Sequence, residues 1–340
     1  MKQVPVKDAV GMVLIHDLTK IVPKEYKGRA FKKGHVIQPD DIDELLKIGK
    51  EHIFVLEPGE GVNVHEDYAA LRLARAVSGA DVKYADPCEG KSMLSSARRG
   101  LLKINSSLLY DINSVKDISI ASLPNNFPVA AEQKIAGARV VPLFVDEAVL
   151  QEAEGLAADR GPVFSIKPFV KLKAGVVTTG NEVYKGLVKD SFGPLIMEKL
   201  KTYDAGFMGQ VFCGDEPGKI SEQIIKFVDA GAGLVILTGG MSVDPDDSTP
   251  SAIRMTGAEV ITYGIPVNPG NMFMMARLGS AVIMGLPGGV MYFKTSIFDV
   301  VLARVFARDT ITKEDFIKMG EGGLCLACET CRYPNCFFCR

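Results

Sequence analysis

Four glycine-containing segments between residues 178 and 289 have the composition of anion-binding loops. Glycine lets a backbone approach a ligand closely and adopt a positive φ, so that successive N–H groups can point towards one anion. Three of the four directly follow an apolar, β-branched run, and loops at the carboxyl ends of strands are where open α/β sheets bind ligands. The segments are Thr178-Thr179-Gly180-Asn181-Glu182, Thr238-Gly239-Gly240-Met241-Ser242, Asn268-Pro269-Gly270 and Leu286-Pro287-Gly288-Gly289.

Residues 238–242 carry the most specific of these patterns. Gly239 and Gly240 end a predicted buried strand, and Ser242 adds a hydroxyl donor. Residues 248–250, Ser-Thr-Pro, then begin a predicted helix, and the N-terminus of a helix carries a partial positive charge. We predict an anion site here; a tight strand-to-helix connection without a ligand is the alternative.

Carboxylates in and near this loop suggest a divalent cation. Asp244, Asp246 and Asp247 lie within four residues, and such a group repels itself unless a cation intervenes. Mg²⁺, which bridges carboxylate and phosphate oxygens, is the natural partner. Cap and turn residues at the surface are the alternative. Asp190 and Asp215 each precede a predicted helix, where N-capping is their simplest role.

The end of the chain carries a second group of residues with metal or redox chemistry. Five of the seven cysteines lie in residues 325–340, with the spacing C-x2-C-x2-C-x4-C-x2-C. Thiolates select zinc and iron–sulfur clusters. The two C-x2-C units fit a four-cysteine zinc site, whereas the first three cysteines partly match a ferredoxin spacing. Zinc, an iron–sulfur cluster and a redox-active or unliganded tail all remain open. The cysteines are Cys325, Cys328, Cys331, Cys336 and Cys339.

Composition places these motifs in an ordinary globular protein. The 340 residues are 47% hydrophobic and 24% charged, enough for two or three domains. A net charge of −2 gives no global attraction to nucleic acid or to an acidic membrane. The first 13 residues lack the pattern of a secretory signal, and no apolar run approaches the roughly 20 residues of a membrane span. We therefore expect a cytoplasmic protein.

The hydrophobic pattern predicts four regions. Residues 1–57 form a small mixed N-terminal segment and 58–170 a β-rich middle region, in which 100–145 are short strands and turns. Residues 171–308 form an α/β domain with a doubly wound, mostly parallel sheet, because strands alternate there with helices of about ten residues. Residues 309–340 are the cysteine-rich tail. We further predict a strand over 11–16, a solvated basic loop over 20–33, a linker over 57–61 and a final helix over 290–306.

The loops together resemble a known family. Residues 172–305 are similar to the molybdopterin-binding domain shared by molybdopterin molybdotransferases and molybdopterin adenylyltransferases. The family's Thr-Gly-Asp-Glu segment is here Thr179-Gly180-Asn181-Glu182, and its glycine-rich Ser/Thr-Gly-Gly-x-Ser loop with a following Asp is here Thr238 to Ser242 with Asp247. Asp190 and Asp215 match the family's two other acidic positions.

The chain departs from the transferase branch at two of the four loops. The family's Lys-Pro-Gly-Lys-Pro is here Asn268-Pro269-Gly270-Asn271-Met272, so both lysines are absent. Its Leu-Pro-Gly-Asn-Pro is here Leu286-Pro287-Gly288-Gly289-Val290. Loss of the lysines removes charge-assisted contacts to molybdate or phosphate. The loss of these contacts is expected to affect molybdenum insertion more than pterin binding.

The resemblance implies a protein of molybdenum cofactor biosynthesis that binds molybdopterin. If the chain is an enzyme, the implied reaction is Mg²⁺-dependent insertion of molybdenum into molybdopterin or its adenylylated form, as in a molybdopterin molybdenumtransferase. A non-catalytic carrier or chaperone for a molybdenum enzyme is the alternative, and a nucleotide pyrophosphatase is a third. The partners expected are a pterin, molybdate, a molybdenum enzyme and further copies of the chain, with neither nucleic acid nor membrane.

The same resemblance assigns roles to individual residues. Asp247 and Asp215 are the candidate catalytic residues, and both, with Asp190, are candidate Mg²⁺ ligands. The five tail cysteines lie outside the resemblance, and their spacing alone makes them candidate ligands for Zn²⁺ or an Fe–S cluster. The candidate cofactor-binding residues are Thr179, Gly180, Glu182, Asp190, Gly239, Gly240, Ser242, Thr249, Pro269, Gly270, Pro287 and Gly288.

Overall fold

The computed structural model describes residues 2–55, 63–242, 244 and 247–340 of the chain. It divides into two compact units, Met1–Ile166 and Lys167–Arg340. The expected linker over 57–61 lies outside the described residues. Among the helices within the described ranges, none combines the length and the apolar character needed to cross a membrane.

The described residues of the first unit form short strands, four α-helices and a short 3-10 helix, Val6–Asp8. Its helices are α1 (Asp41–Lys47), α2 (Glu66–Val77), α3 (Ser106–Ser114) and α4 (Glu147–Arg160). The strands, the last of which runs two residues into the second unit, are β1 (Lys2–Pro5), β2 (Leu18–Val22), β3 (Tyr26–Phe31), β4 (His52–Val55), β5 (Asn63–His65), β6 (Val82–Tyr84), β7 (Lys91–Ser96), β8 (Gly100–Ile104), β9 (Ile118–Ser122), β10 (Pro128–Val129), β11 (Lys134–Val140), β12 (Phe144–Asp146) and β13 (Phe164–Pro168).

This unit confirms the predicted β-rich region before the α/β domain. Strands β6, β7, β11 and β9 form one antiparallel sheet in that order. The inward face of α2, which includes Leu73 and Val77, packs in one hydrophobic cluster with residues of that sheet. A separate cluster, which includes Val6, Ile37 and Leu45, forms the core of the N-terminal segment.

Three local predictions in this unit were wrong. Residues 20–33 are not a loop, because β2 and β3 pair as an antiparallel hairpin. The alternation of basic and apolar residues in that stretch is a strand pattern, with Leu18 and Phe31 buried. Residues 11–16 form no strand and make a single bridge, Val13 to Val36. Residues 106–114, expected as strand or turn, form α3, which Asn105 caps by accepting a hydrogen bond from the N–H of Leu108.

The second unit alternates strands and helices. Its helices are α5 (Asn181–Tyr184), α6 (Phe192–Lys201), α7 (Pro217–Asp229), α8 (Thr249–Met255), α9 (Gly289–Tyr292), α10 (Ile297–Phe306) and α11 (Lys313–Lys318). Its strands are β14 (Lys173–Thr179), β15 (Gly206–Cys213), β16 (Leu234–Thr238), β17 (Glu259–Tyr263), β18 (Met274–Leu278) and β19 (Ala281–Leu286).

These six strands form one sheet in the order β15-β14-β16-β19-β18-β17. The first four are parallel, and β18 and β17 extend the sheet with antiparallel pairs. Every residue of β16 is buried, as a strand covered on both faces requires. The predicted doubly wound, mostly parallel sheet is therefore confirmed.

Helices cover both faces of the sheet. On one face Ile196 of α6 and Phe298 of α10 belong to a cluster that also includes Val176 and Ile236. On the other face, Ile224 of α7 and Ile253 of α8 pack in a cluster with the strand residues whose side chains point to that face. Because side chains alternate along a strand, the two clusters take alternate residues of β14 and β16.

The predicted final helix over 290–306 is interrupted. Helix α9 ends at Tyr292, and α10 begins only after Ser296. The Ser296 hydroxyl accepts a hydrogen bond from the N–H of Phe298, and the Asp299 carboxylate accepts one from the N–H of Ser296. Such a capping box starts a new helix, so the chain turns over residues 293–295.

Candidate functional site

The parallel strands bring three of the predicted loops to one edge of the sheet. Thr178 of β14 pairs with Thr238 of β16, and Thr238 pairs with Leu286 of β19. The residues that follow each of these positions therefore leave the sheet side by side. Neighbouring strands lie about 4.8 Å apart, so one ligand can contact all three loops.

The glycine loop after β16 has a backbone that only glycine tolerates. Gly239 and Gly240 have φ values of +88° and +55°. A Cβ atom on Gly239 would overlap the carbonyl oxygen of Thr179. The hydroxyl of Thr249 donates a hydrogen bond of 2.8 Å to the carbonyl of Gly239 and lies 3.1 Å from the hydroxyl of Thr179. These contacts hold the loop against the end of β14 and the start of α8.

A buried polar network behind this loop was missed in the sequence. The Thr238 hydroxyl lies 3.1 Å from the Thr178 hydroxyl, which also accepts a 2.8 Å hydrogen bond from the side-chain amide of Gln210. That amide also donates to Asp190 at 2.7 Å. The network links the ends of three adjacent strands to Asp190. The usable signal was the presence of hydroxyl residues at the last positions of apolar strands.

Asp190 acts as the cap of α6. Its two carboxylate oxygens accept hydrogen bonds of 2.9 and 3.0 Å from the N–H groups of Phe192 and Gly193. Gln210 donates one further hydrogen bond, so both carboxylate oxygens of Asp190 have partners within the protein. This arrangement is the N-capping alternative that the sequence left open for Asp190.

Asp215 follows β15 and contacts the first predicted loop. Its carboxylate accepts a 3.0 Å hydrogen bond from the N–H of Asn181, the first residue of α5. It lines an open cavity of about 600 Å³ with Tyr184, Lys219 and other residues of α5, β15 and α7. The described residues that line this cavity do not include Gly239 or Asp247. Burial raises the pKa of the neighbouring Cys213 thiol.

The loop before α8 is described only in part, and Asp246 lies outside the described residues. The N–H of Asp247 donates a 2.9 Å hydrogen bond to the carbonyl of Asp244. The hydroxyl oxygen of Ser248 is inaccessible to solvent and has no hydrogen-bond partner within the described residues. Ser242 is exposed, and its carbonyl lies 3.5 Å from the Tyr263 hydroxyl.

The two Pro-Gly loops contact each other. A Cβ atom on Gly289 would lie 3.4 Å from the Cβ of Pro269. Gly270 has a φ of +131° and leaves no room for a side chain beside Ile297. Asn271 stands where the family has a lysine. Its side-chain amide donates a 3.1 Å hydrogen bond to the carbonyl of Ile265. This position is therefore neutral and holds the loop rather than facing an anion.

The carbonyls of the Leu-Pro-Gly-Gly loop start α9. Pro287 and Gly288 accept hydrogen bonds of 3.1 Å from the N–H groups of Val290 and Met291. In the loop after β14, Gly180 has a φ of +130°, and its N–H donates a 3.2 Å hydrogen bond to the carbonyl of Cys213. A Cβ on Gly180 would meet the carboxylate of Glu182.

The structure does not support the metal sites expected from the sequence. Among the described residues, no group of three or more His, Cys, Asp or Glu side chains is placed to hold a metal ion. Asp190 and Asp215 are engaged by backbone N–H groups, as above. Burial raises the pKa of the Cys339 thiol to about 12, and the sulfur of Cys331 lies 3.0 Å from the hydroxyl of Thr295.

The backbone of the tail is tied to the Asn-Pro-Gly loop. The N–H of Asn268 donates a 2.8 Å hydrogen bond to the carbonyl of Gly323, and the N–H of Cys325 donates one of 2.8 Å to the carbonyl of Asn268. Phe338 is buried in the core of the α/β unit. Tyr333 and Cys339 pack against the same core. The tail is therefore part of this unit.

Sheet order and loop positions define an α/β domain of the class in which ligands bind at the carboxyl ends of the parallel strands. Residues 175–307 match the family model described as "Probable molybdopterin binding domain", which confirms the resemblance for this domain. Residues 3–57 match a "Domain of unknown function (DUF8806)".

Individual relatives match only parts of the chain. A "CinA-like protein" of Mycobacterium avium is 34% identical over 93 residues, 27% of this chain and 21% of the relative. The chain thus spans about a fifth of the length of that curated relative. A "Molybdopterin biosynthesis enzyme MoaB" of Thermus thermophilus has a TM-score of 0.33 and 18% identity, over 41% of this chain and 98% of that one. A "molybdopterin biosynthesis moea protein" of Pyrococcus horikoshii has a TM-score of 0.34 and 14% identity, and the match covers 90% of this chain and 74% of that one.

Proposed function

We propose that the second unit binds molybdopterin, with the terminal phosphate of the ligand on the backbone N–H groups of Gly239 and Gly240. The observation that carries this proposal is the positive-φ glycine pair held against Thr179 and Thr249 in a domain of the molybdopterin-binding family. Successive N–H groups in such a conformation form a concavity for an anion. The fixed hydroxyl contacts keep that concavity ready before the ligand arrives.

The buried hydroxyl of Ser248 supports an anion at this position. A buried donor without a partner costs about 1–3 kcal/mol, which a bound acceptor would recover. Ser248 directly precedes α8, and a Cβ atom on Gly240 would lie 3.5 Å from its backbone nitrogen. The hydroxyl therefore lies beside the loop that we assign to the phosphate.

In this proposal Mg²⁺ accompanies the ligand. Mg²⁺ usually binds one or two carboxylates together with substrate phosphates, and it retains several waters. Asp247, in the loop directly before α8, is the carboxylate that we assign to it, while Asp215 and Asp190 keep the backbone N–H partners described above. The ion would neutralise phosphate charge at the edge of the sheet.

A carrier function fits the two Pro-Gly loops better than catalysis of molybdenum insertion. Asn271 is neutral and bonded to Ile265, and Gly289 packs on Pro269, so neither position offers a cation for an oxyanion substrate. We therefore propose that the protein binds and delivers the pterin. Release of AMP from adenylylated molybdopterin with molybdate would instead support a transferase, and hydrolysis of ADP-ribose or NAD would support a pyrophosphatase.

The Ser248→Ala variant tests the proposed phosphate site. Its free energy of unfolding should stay unchanged or rise slightly, because the hydroxyl has no hydrogen-bond partner among the residues that the structure describes. Its affinity for a phosphorylated pterin should fall about tenfold, because one hydrogen bond to a charged group is worth about 1.5–3 kcal/mol. Fluorescence titration with neopterin monophosphate measures the affinity, and urea unfolding measures the stability.

The matched control is Ser251→Ala, an exposed serine on the same helix. It should change neither quantity. Equal affinity in Ser248→Ala and the wild type would argue against this site. Absence of pterin binding in the wild-type protein would reject the proposed function altogether.

A further inference from the structure

A cavity of about 460 Å³ lies between residues 292–295 and the cysteine-rich tail. Small-molecule sites commonly have volumes of about 300–1,000 Å³. Aromatic rings and sulfur atoms dominate its wall. The residues that give it this character are Tyr292, Phe293, Phe337, Cys328, Cys331 and Cys336.

The apolar part of the wall suits a flat ring. Tyr292 is 85% exposed and Phe337 is 53% exposed, so both rings have faces open to a ligand. Tyr292 and Phe293 meet edge to face, with ring centroids 5.0 Å apart. Free thiols act as small, polarisable apolar groups that contact aromatic rings favourably. A planar heteroaromatic ring would bury apolar surface on every side of this cavity.

The charged part of the wall suits an anion. Lys294 and Arg332 line the cavity, and the described residues that line it include no carboxylate. Neither side chain has a hydrogen-bond or ion-pair partner among the residues that the structure describes. Two unpaired cations beside an apolar wall attract an anionic molecule with a flat body.

Residues in the wall of the cavity are connected to the loops at the edge of the sheet by chain segments and contacts. The Thr-Gly-Gly and Leu-Pro-Gly-Gly loops leave adjacent strands, and α9 leads from the second of these to Tyr292. Gly289 packs on Pro269, and Asn268 is hydrogen-bonded to Cys325 at the cavity wall. Together these contacts connect the proposed phosphate loop to the tail, and all of them lie in the second unit.

We infer that the tail cavity binds the ring end of the phosphorylated pterin whose phosphate lies on the glycine loop. This inference rests on the proposed function and adds a second contact region to it. Lys294 and Arg332 donate to the hydrogen-bond acceptors on the edge of the pterin ring, and Tyr292 and Phe337 stack on its face. The thiols complete the wall.

Thiol footprinting on the full chain tests this inference directly. Iodoacetamide alkylation of Cys328, Cys331 and Cys336 is followed by mass spectrometry, with and without saturating neopterin monophosphate. Exposed Cys88, in the first unit, is the internal control. We expect the pterin to slow alkylation of the tail thiols at least threefold and to leave the rate at Cys88 unchanged. Glycerol phosphate, which has the phosphate but no ring, should protect none of them.

A variant pair gives an independent readout. Tyr292→Ala should weaken binding of neopterin monophosphate about tenfold, as expected for loss of one stacking ring. Because Tyr292 is exposed, the fold should tolerate this change. Tyr110→Ala removes a tyrosine that is 73% exposed in the first unit and should leave the affinity unchanged.

The outcomes separate this inference from the proposed function. If neopterin monophosphate binds the wild type and Ser248→Ala weakens it, but the tail thiols are not protected and Tyr292→Ala binds normally, the tail cavity is not the ring site. The proposed function then stands alone. If the wild type binds no pterin, both are overturned.

Discussion

Single atoms decide the conformation of the glycine loop. The Thr249 hydroxyl donates to the carbonyl of Gly239, and Thr179 Oγ1 lies 3.2 Å from the carbonyl of Thr238. These bonds use carbonyl groups, and neither glycine N–H donates a loop hydrogen bond within the described part of the chain, so we assign both N–H groups to the ligand. The same contacts leave no space for a side chain at Gly239.

The Gly239→Ala variant should therefore be destabilised. The added methyl would overlap the Thr179 carbonyl, and alanine at a positive φ is strained by about 1–3 kcal/mol. We expect urea unfolding to show a loss of at least that size and pterin affinity to fall. Gly218→Ala is the control, because Gly218 lies in α7 and a Cβ there contacts nothing within 4 Å. That control should be neutral or slightly stabilised, and equal stability of the two variants would contradict the predicted strain.

Short helices and their caps connect the sheet to the tail. Arg304 of α10 pairs with Asp309 at 2.8 Å, and both side chains are only 4% exposed. The same guanidinium reaches Asp315 of α11 at 3.3 Å, and Asp315 closes a capping box with Thr312. This network fixes where the tail starts relative to α10.

Asp315 makes the stability of this junction depend on pH. Burial acts to raise the pKa of its carboxyl, but hydrogen bonds from Thr312 and the charge of Arg304 outweigh burial and lower it below the ordinary value. A lowered pKa in the folded state stabilises the fold above the ordinary pKa of about 4, and the contribution disappears as the pH falls through the folded-state pKa. Asp315→Asn should thus cost about 1 kcal/mol at pH 7, the usual value of a lost cap, and little at acid pH.

Urea unfolding of wild type and Asp315→Asn at neutral and acid pH measures this difference. Glu314→Gln is the neighbouring control, because the ion pair of Glu314 with Lys318 has side chains that are 72% and 73% exposed. Such surface pairs contribute about 0–1 kcal/mol. A cost for Asp315→Asn that stays constant with pH would show that the carboxylate charge is not responsible.

At the scale of the whole molecule, each hydrophobic cluster lies within one unit. The clusters of the first unit run over residues 4–55 and 64–166, and those of the second unit begin at Phe169. Burial of apolar surface is the main stabilising term in folding. Residues 167–340 therefore contain a complete core.

We expect residues 167–340 to fold when expressed alone. The fragment should unfold cooperatively in urea and bind neopterin monophosphate with the affinity of the full chain. Circular dichroism and fluorescence titration check both points. The fragment 175–307, which matches the family model but lacks the tail with buried Phe338, is the comparison and should be less stable. Loss of cooperative unfolding in 167–340 would show that its core depends on the first unit.

The sequence predicted the α/β unit well and the tail poorly, for physical reasons. Strands β14, β16 and β19 are apolar runs followed by glycine loops, and both features are local in the sequence. The Gln210–Thr178–Thr238 network and the contact of Gly289 with Pro269 join residues far apart in the chain. The spacing of the cysteines suggested metal ligation, but only the fold shows that Cys331 meets Thr295 and Cys339 faces the core.

The hydrogen bond between Cys325 and Asn268 has a practical consequence. Because the backbone of Cys325 is bonded to the Asn-Pro-Gly loop, displacement of that loop must also displace Cys325. An environment-sensitive dye attached to this sulfur would report such a displacement optically in solution. The chain thus supplies its own attachment point for a sensor of loop occupancy.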